Sequence, residues 1–455
     1  MFIGRAKELE QLAEQFAKEG KRAAMLYGTR RVGKSTLILE SIKHTSCKVI
    51  YIECLLTTLE RNVKRLEEKI QGLFNNKFLH FAGFEDAFEY LGTVNEKVIV
   101  IIDEYQYLKQ VNDGKYVDSV FQNIIDQMKD NLKLVLLGSY VGMMKELLEK
   151  ENPLFGRFSL VMHIKPFDYY DSAAFYPERS VGEKIAFYSI FGGMPFSNDL
   201  LVADKSLTYN IKSLILNPSS PIRMYIENIL LSELSKVANA NMILSALANG
   251  KKRYGEIESM TGAKTNGTLD KQLKNLLEME IIKKVYPINK SNDKKKTFYE
   301  ISDNLVRFYY SFVYGNIDVI ARIGEENYYD SYIAASLNTF IAHRFEEICR
   351  EYFIRQAKRG IIDDVMDIGT FWYDMPAEHK SGEFDCVIRH NRGYSFYEVK
   401  YYNRPFTKKD MEQELQQLKA IPGNTQIKYI GFITLSGYDF SDDKYKLLTA
   451  DELYM

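Results

Sequence analysis

Two stretches of this chain bring together side chains that could do chemistry. In the first, a short apolar run from Ala23 to Tyr27 reads as a buried strand. It breaks at Gly28 and gives way to a helix over Thr36 to Ile42. The loop between, Gly28-Thr29-Arg30-Arg31-Val32-Gly33-Lys34-Ser35 and then Thr36, has the spacing G-x-x-x-x-G-K-S in its required strand, loop and helix context. The glycines let backbone N–H groups curl around phosphate oxygens, and the helix start adds partial positive charge. Lys34 can reach the outer phosphates and the Ser35 hydroxyl can ligate Mg²⁺, so ATP with Mg²⁺ is the expected ligand.

About 70 residues later, Lys97-Val-Ile-Val-Ile-Ile-Asp103-Glu104 ends a continuous apolar run in two carboxylates. Such a run reads as a buried parallel strand whose C-terminal end opens on a ligand crevice. Asp103 is placed to hold Mg²⁺ through water, and Glu104 to orient the attacking water. A further apolar strand, Leu132 to Gly138, ends at Ser139. This is either a contact to the γ-phosphate or water, or a turn serine. Arg157, in Asn152-Pro-Leu-Phe-Gly-Arg, is either the arginine that neutralises transition-state charge, in its own subunit or a neighbour, or half of a structural salt bridge.

The second stretch is Gly382-Glu-Phe-Asp385-Cys-Val-Ile-Arg-His-Asn391-Arg392-Gly-Tyr-Ser-Phe-Tyr-Glu398-Val-Lys400. A hairpin turning at Asn391-Arg392 sets Asp385 opposite Glu398, with Cβ atoms about 5 Å apart. Carboxylates that close repel unless a cation or proton lies between them, and Mg²⁺ with its oxygen ligands fits. Lys400 shares a strand face with Glu398 and could orient water or a scissile phosphate. Glu346, in the helical stretch Asn338 to Phe353, would complete the shell.

The elements that position these residues fall into three parts. Residues 1–205 alternate strands and helices as an α/β P-loop core, an αβα parallel sheet. Residues 206–305 read as three helices and a hairpin, a winged helix-turn-helix. A helix from Thr265 carries Leu269, Leu273 and Leu276 on one face, and a polar tip runs from Asn289 to Lys296. Between Lys251 and Glu300 stand 12 basic and 7 acidic residues, in a chain of net charge −1. The excess suits either DNA backbone contact by the wing lysines or a packing module with solvated lysines. Residues 306–455 form a second α/β domain. The 455 residues are 46% hydrophobic, enough for real cores, while 60 basic residues against 61 acidic exclude a global field for nucleic acid. Cys47, Cys54, Cys349 and Cys386 form no C-x-x-C pair, so neither a zinc site nor a disulfide framework is expected. Without a long apolar run or a leader pattern, the expectation is a cytoplasmic protein with no membrane partner.

Phe2-Ile-Gly-Arg5, the phosphate loop, Ile-Ile-Asp103-Glu104-Tyr-Gln, Leu-Gly-Ser139, Gly156-Arg157 and Phe191-Gly192-Gly193-Met-Pro195 come in that order. Together they resemble the archaeal-type AAA+ ATPases, a branch related to the signalling NTPases. The resemblance implies an ATPase core with a helical lid near residues 180–215. The acids Glu346, Asp385 and Glu398 with Lys400 resemble the E…D…E-x-K core of the PD-(D/E)xK nucleases, a restriction-endonuclease-like fold, with Phe384 where proline is common. Glu378 to Glu383, just before Asp385, resembles the C-terminal domain of the same ATPase family. Two functions follow. One is an ATPase that moves a winged helix and a metal-dependent nuclease on DNA. The other is a nucleotide-dependent signalling or defence switch, able to assemble as a homo-oligomer, whose nuclease-like fold only binds.

Overall fold

The computed structural model describes the whole chain except residues 1, 112–113, 231–238, 263–267, 292, 376–379, 419–420, 422 and 424. Residues 265–267, where the third helix of the middle region was expected to begin, and Glu378 and His379 of the pre-Asp385 motif lie outside the described residues. The chain divides into two compact units, Met1–Pro166 and Phe167–Met455.

The first unit carries α1 (Ala6–Ala17), β1 (Arg22–Tyr27), α2 (Lys34–Ser41), β2 (Lys48–Glu53), α3 (Leu59–Phe74), α4 (Phe84–Thr93), β3 (Val98–Asp103), α5 (Val117–Gln127), β4 (Leu132–Gly138) and β5 (Leu160–His163). The strands form one parallel sheet in the order β2-β3-β4-β1-β5. β3 and β4 are buried along their whole length, as continuous apolar runs require when helices cover both faces. β4 separates β1 from β3, so the C-terminal ends of these three strands put the phosphate loop, Ser139 and the acid pair side by side.

The second unit opens with the expected lid helix, α6 (Val181–Phe191), started by a Ser180–Glu183 capping box. Then come α7 (Ala240–Ala248), β6 (Lys252–Arg253), α8 (Tyr254–Thr261), α9 (Thr268–Glu278), β7 (Ile282–Val285) and β8 (Phe298–Ile301), with an antiparallel sheet β6-β8-β7. This is the winged helix. The remainder is α10 (Asn304–Phe312), α11 (Ala334–Lys358), β9 (Val365–Met375), β10 (Lys380–His390), β11 (Tyr394–Lys400), α12 (Lys408–Gln417), β12 (Ile427–Thr434) and β13 (Lys446–Thr449). Its sheet runs β13-β12-β11-β10-β9, antiparallel from β9 to β11 and parallel from β11 to β13. One hydrophobic core runs from Ile185 and Phe187 of α6 through Leu269 and Leu273 of α9 to Phe345 and Ile348 of α11. The lid helix, the winged helix and the C-terminal sheet are thus parts of a single packed body.

Candidate functional site

The loop after β1 is shaped by its backbone. Gly33 has φ 91° and Arg31 φ 66°, the left-handed turns that curl the loop. A Cβ at Gly28 would lie 2.1 Å from the carbonyl oxygen of Ile164, so glycine here answers a close approach of the strand end as well as any ligand. Lys34 is buried, and its Nζ donates to the carbonyls of Gly28 at 2.9 Å and Thr29 at 3.0 Å, bracing the loop across its mouth. Arg5 donates to the carbonyl of Lys165, just after β5, at 2.5 Å and to that of Val32 in the loop at 3.5 Å, tying the N-terminal Gly-Arg turn to both. Among the described residues, the buried Thr29 hydroxyl makes no hydrogen bond. Arg30 donates to the Tyr107 hydroxyl at 2.8 Å, and Val32 is buried beneath the loop.

The two acids are separately held. The Ser35 hydroxyl donates to Asp103 Oδ2 at 2.7 Å, bringing the two expected magnesium-side residues together. The Tyr51 hydroxyl donates to the same oxygen from β2. Glu104 has φ 55°, an uncommon backbone for a non-glycine residue, which turns its side chain away from that of Asp103. Ser139 Oγ donates to Glu104 Oε1 at 2.8 Å, and Gln106 donates to Oε2. Ser139 is therefore no plain turn serine. Tyr51 and Gln106 were not foreseen; Gln106 stands two residues after Glu104, a spacing that offered the signal.

Arg157 is elsewhere. Its guanidinium grips Asp126 through Nε at 3.0 Å and Nη2 at 2.9 Å, and Nη1 donates to the Pro153 carbonyl at 2.8 Å. Lys21, just before β1, also donates to the Asp126 carbonyl at 2.6 Å, which fixes this cluster at the N-terminal end of β1. The phosphate loop leaves the other end, about 20 Å away at strand rise. This corrects the role in its own subunit: within one chain Arg157 makes the structural salt bridge.

In the C-terminal sheet, β10 and β11 turn at Asn391-Arg392, and Cys386 pairs with Tyr397. That pairing is the register of the hairpin argument; the ladder ends there, one residue short of Asp385 and Glu398, whose charges still act on one another. Burial and then the charge of Glu346 push the Asp385 carboxyl up to about 7, and burial also raises Glu398. Lys400 Nζ lies 2.9 Å from Glu398 and 3.0 Å from Glu414 of α12. Glu414 was not singled out from sequence, although it lies in the acidic helix following E-x-K. Among the described residues no three His, Cys, Asp or Glu side chains form a metal-holding group. The expected three-carboxylate shell is thus not assembled: Asp385 and Glu346 crowd one another while Glu398 is turned to Lys400. Two carboxylates, with waters and a substrate phosphate, are still a donor set that Mg²⁺ accepts.

The wing departs most from expectation. Ile288 is buried among Phe371, Phe384, Val387 and Phe396 of the C-terminal sheet. Its N–H donates to the Thr370 carbonyl at 2.7 Å, and Asn289 exchanges side-chain bonds with the Trp372 backbone at 2.8 and 3.0 Å. The wing thereby covers the edge strand β9. Lys296 lies 3.6 Å from the Trp372 ring centroid, Lys283 bridges Glu300 and Glu347, and Lys251 pairs with Glu383 at 2.5 Å. Lys251, Lys283 and Lys296 are thus engaged inside the unit, so the wing does pack, while its Lys284, Lys290 and Lys295 stay exposed. Lys271 and Lys274 of α9 remain exposed.

Comparison with known proteins agrees part by part. Residues 2–197 match the family described as an ATPase domain predominantly from Archaea, residues 239–304 an HxlR-like helix-turn-helix, and residues 309–414 a family of archaeal and bacterial proteins of unknown function. The fold and the loop define a P-loop ATPase with a winged helix. The chain's first 197 residues are similar to the ATPase domains found predominantly in Archaea. An uncharacterised protein of Methanocaldococcus jannaschii is 29% identical over 410 residues, 88% of each chain. An uncharacterised ATP-binding protein of Pyrococcus horikoshii is 23% identical over 165 residues, 36% of this chain and 50% of its own. Among solved structures, a Walker-type ATPase of Pyrococcus abyssi shares the fold with TM-score 0.50 at 23% identity, covering 68% of this chain and 96% of its own. Among the described residues no helix is long and apolar enough to cross a membrane.

Proposed function

We propose that this ATPase couples nucleotide turnover to a DNA-binding winged helix and a metal-dependent nuclease-like site, in modules spanning 1–205, 206–305 and 306–455. Bound Mg²⁺ would offset phosphate charge at both sites. At the first, Lys34 and the loop amides hold the phosphates, Ser35 and Asp103 stand on the magnesium side, and Glu104 accepts a proton from the attacking water. Its bonds to Ser139 and Gln106 must loosen for that step. Ser139, once released, can report the γ-phosphate. The orphan Thr29 hydroxyl supports the presence of a further acceptor in the cradle, and a phosphate oxygen supplies one.

At the second site, Asp385 and Glu346 would hold the ion and Lys400 would turn from Glu398 and Glu414 toward the scissile phosphate. The observation that carries this reading is the convergence of charge on Asp385, which feels both Glu346 of α11 and Glu398 of β11. DNA would meet the exposed face of α9, through Lys271 and Lys274. The test is incubation with plasmid and linear DNA, Mn²⁺ and ATP, repeated with Lys34→Ala and Lys400→Ala. Metal-dependent cutting lost in Lys400→Ala, with ATP hydrolysis intact, is the expected result; parent protein that cuts nothing removes the nuclease half.

A second reading has its own support. The wing is docked on β9 and Lys400 is neutralised by two acids, both of which suit a nuclease-like fold kept as a binding platform in a nucleotide-driven switch. That reading expects an ATP-dependent homo-oligomer and no metal affinity at Asp385.

A further inference from the structure

A cavity of about 580 Å³ opens beside Asp385 and Glu346. One end holds these two carboxylates. The other holds Phe312 and Phe340, with ring centroids 5.6 Å apart and planes at 62°. Arg307 of α10, 2% exposed, also lines the cavity. Its Nη2 donates to the Ile301 carbonyl, while Nε and Nη1 make no hydrogen bond among the described residues. Glu300 and Glu347 stand 3.9 Å from the guanidinium, close enough for charge balance but too far for hydrogen bonds. The wall facing the acids is the winged helix's Asn249-Gly250-Lys251 turn, latched by Lys251 on Glu383.

This wall is not loosely placed. The wing that belongs to it has Ile288 in the core of the C-terminal sheet, and the core of the unit is continuous through α9 and α11. The cavity is the size of a small-molecule site, about 300–1,000 Å³, and a base-paired helix does not fit in one. Aromatic rings, a buried guanidinium and a pair of acids lining one cavity match the parts of one unpaired nucleotide: base, backbone and scissile phosphate.

We propose that the nuclease-like site receives single-stranded DNA, one or two nucleotides entering the cavity with a base against Phe312 and Phe340 and the backbone beside Arg307. Duplex DNA is held, if anywhere in the unit, on α9 outside. The inference rests on the nuclease-like reading for its chemistry, but the occupancy of the cavity stands on its own. The probes are a fluorescent oligothymidylate and a hairpin duplex closed at both ends, measured by anisotropy with Ca²⁺ in place of Mg²⁺. Ser336 lines the rim and is exposed, so Ser336→Trp plugs the cavity without entering the core.

The expected result is that Ser336→Trp weakens oligothymidylate binding at least tenfold while duplex binding and ATP hydrolysis stay at the parent level. Phe340→Ala should weaken it about tenfold by loss of stacking, the folding of the second unit checked by an unchanged tryptophan emission from Trp372. With Mn²⁺, the single strand is cut and the closed duplex is not. Single-strand binding that is absent from the parent, or unchanged in Ser336→Trp, overturns the proposal. So does cutting of the closed duplex as fast as the single strand, which would leave the nuclease reading standing. Loss of single-strand binding in Ser336→Trp with no cutting of either DNA would support the cavity as the strand's site and remove the nuclease chemistry.

Discussion

At the phosphate loop, Lys34 lies against backbone carbonyls, and Asp103 and Glu104 are each held by hydroxyl or amide donors. At the C-terminal sheet, Lys400 lies between two carboxylates, and Asp385 faces others with its carboxyl pushed up to about 7. The ingredients are alike, a lysine and paired acids, but the first site is complete as a cradle and the second is a set of charges balanced against each other. At the cradle Lys34 and Glu104 exchange neutral carbonyl, hydroxyl and amide partners for the ligand, whereas the crowded acids need a cation and a lysine that leaves two carboxylates. Substitutions should therefore act on binding and turnover at the first site and on metal affinity at the second.

The largest effect is expected at the cradle. Lys34→Ala should lower ATP turnover by about 10²–10³-fold or more and weaken nucleotide binding, read by steady-state hydrolysis and calorimetry. Glu104→Gln should cut hydrolysis about as deeply yet leave ATP bound, so that radiolabelled ATP stays with the protein through a desalting column. If both variants hydrolyse ATP normally, the contrast between the sites disappears. At the C-terminal sheet, Asp385→Ala should abolish the heat of Mn²⁺ binding there and leave ATP turnover within about twofold of the parent; an unchanged isotherm would mean the acids hold no ion.

The wing comes next. Ile288→Asp puts a charge into an apolar cluster and should destabilise the second unit by about 3 kcal/mol or more, seen as a lower Tm. Glu351 offers a smaller and pH-dependent test. It is half-buried in α11, accepts from the Tyr169 N–H at 3.1 Å and the Tyr188 hydroxyl at 3.0 Å, and desolvation raises it to about 7. Because the folded chain binds this proton more tightly than the unfolded one, stability falls as pH rises from about 4.5 to 7 and stays low above. Glu351→Gln should remove that slope, raising Tm at pH 8 by the equivalent of up to about 3 kcal/mol and changing little at pH 4.5. The smallest effect belongs to Arg157→Ala, which breaks a partly exposed ion pair worth about 1 kcal/mol or less and should leave single-chain ATP turnover unchanged. A large loss of turnover that appears only at concentrations where chains associate would assign Arg157 to a partner's site.

The parallel core was legible because burial on both faces leaves an unbroken apolar run, and each run here ends in a residue with chemistry: Gly28, Asp103 or Ser139. The β10–β11 register was legible because a tight hairpin turn fixes it for every pair. Three things were not. Arg157 depends on which end of a strand a loop returns to, and spacing does not say. The lysines of the wing left DNA contact and packing both open because charge counts carry no partners; Lys283 and Lys251 find acids far along the chain. The second partner of Lys400 was hidden because Glu414 comes from another element, invisible to a two-residue motif.

Trp372 is the only tryptophan in the chain, and it sits where the wing meets β9, with Lys296 over its ring and the Asn289 side chain on its backbone. Its indole N–H is buried and makes no hydrogen bond among the described residues. Intrinsic fluorescence of the unaltered protein is thus a label at that seam. A red shift on adding nucleotide or DNA would time the moment the wing lets go, and constant emission would mean the seam holds throughout the cycle.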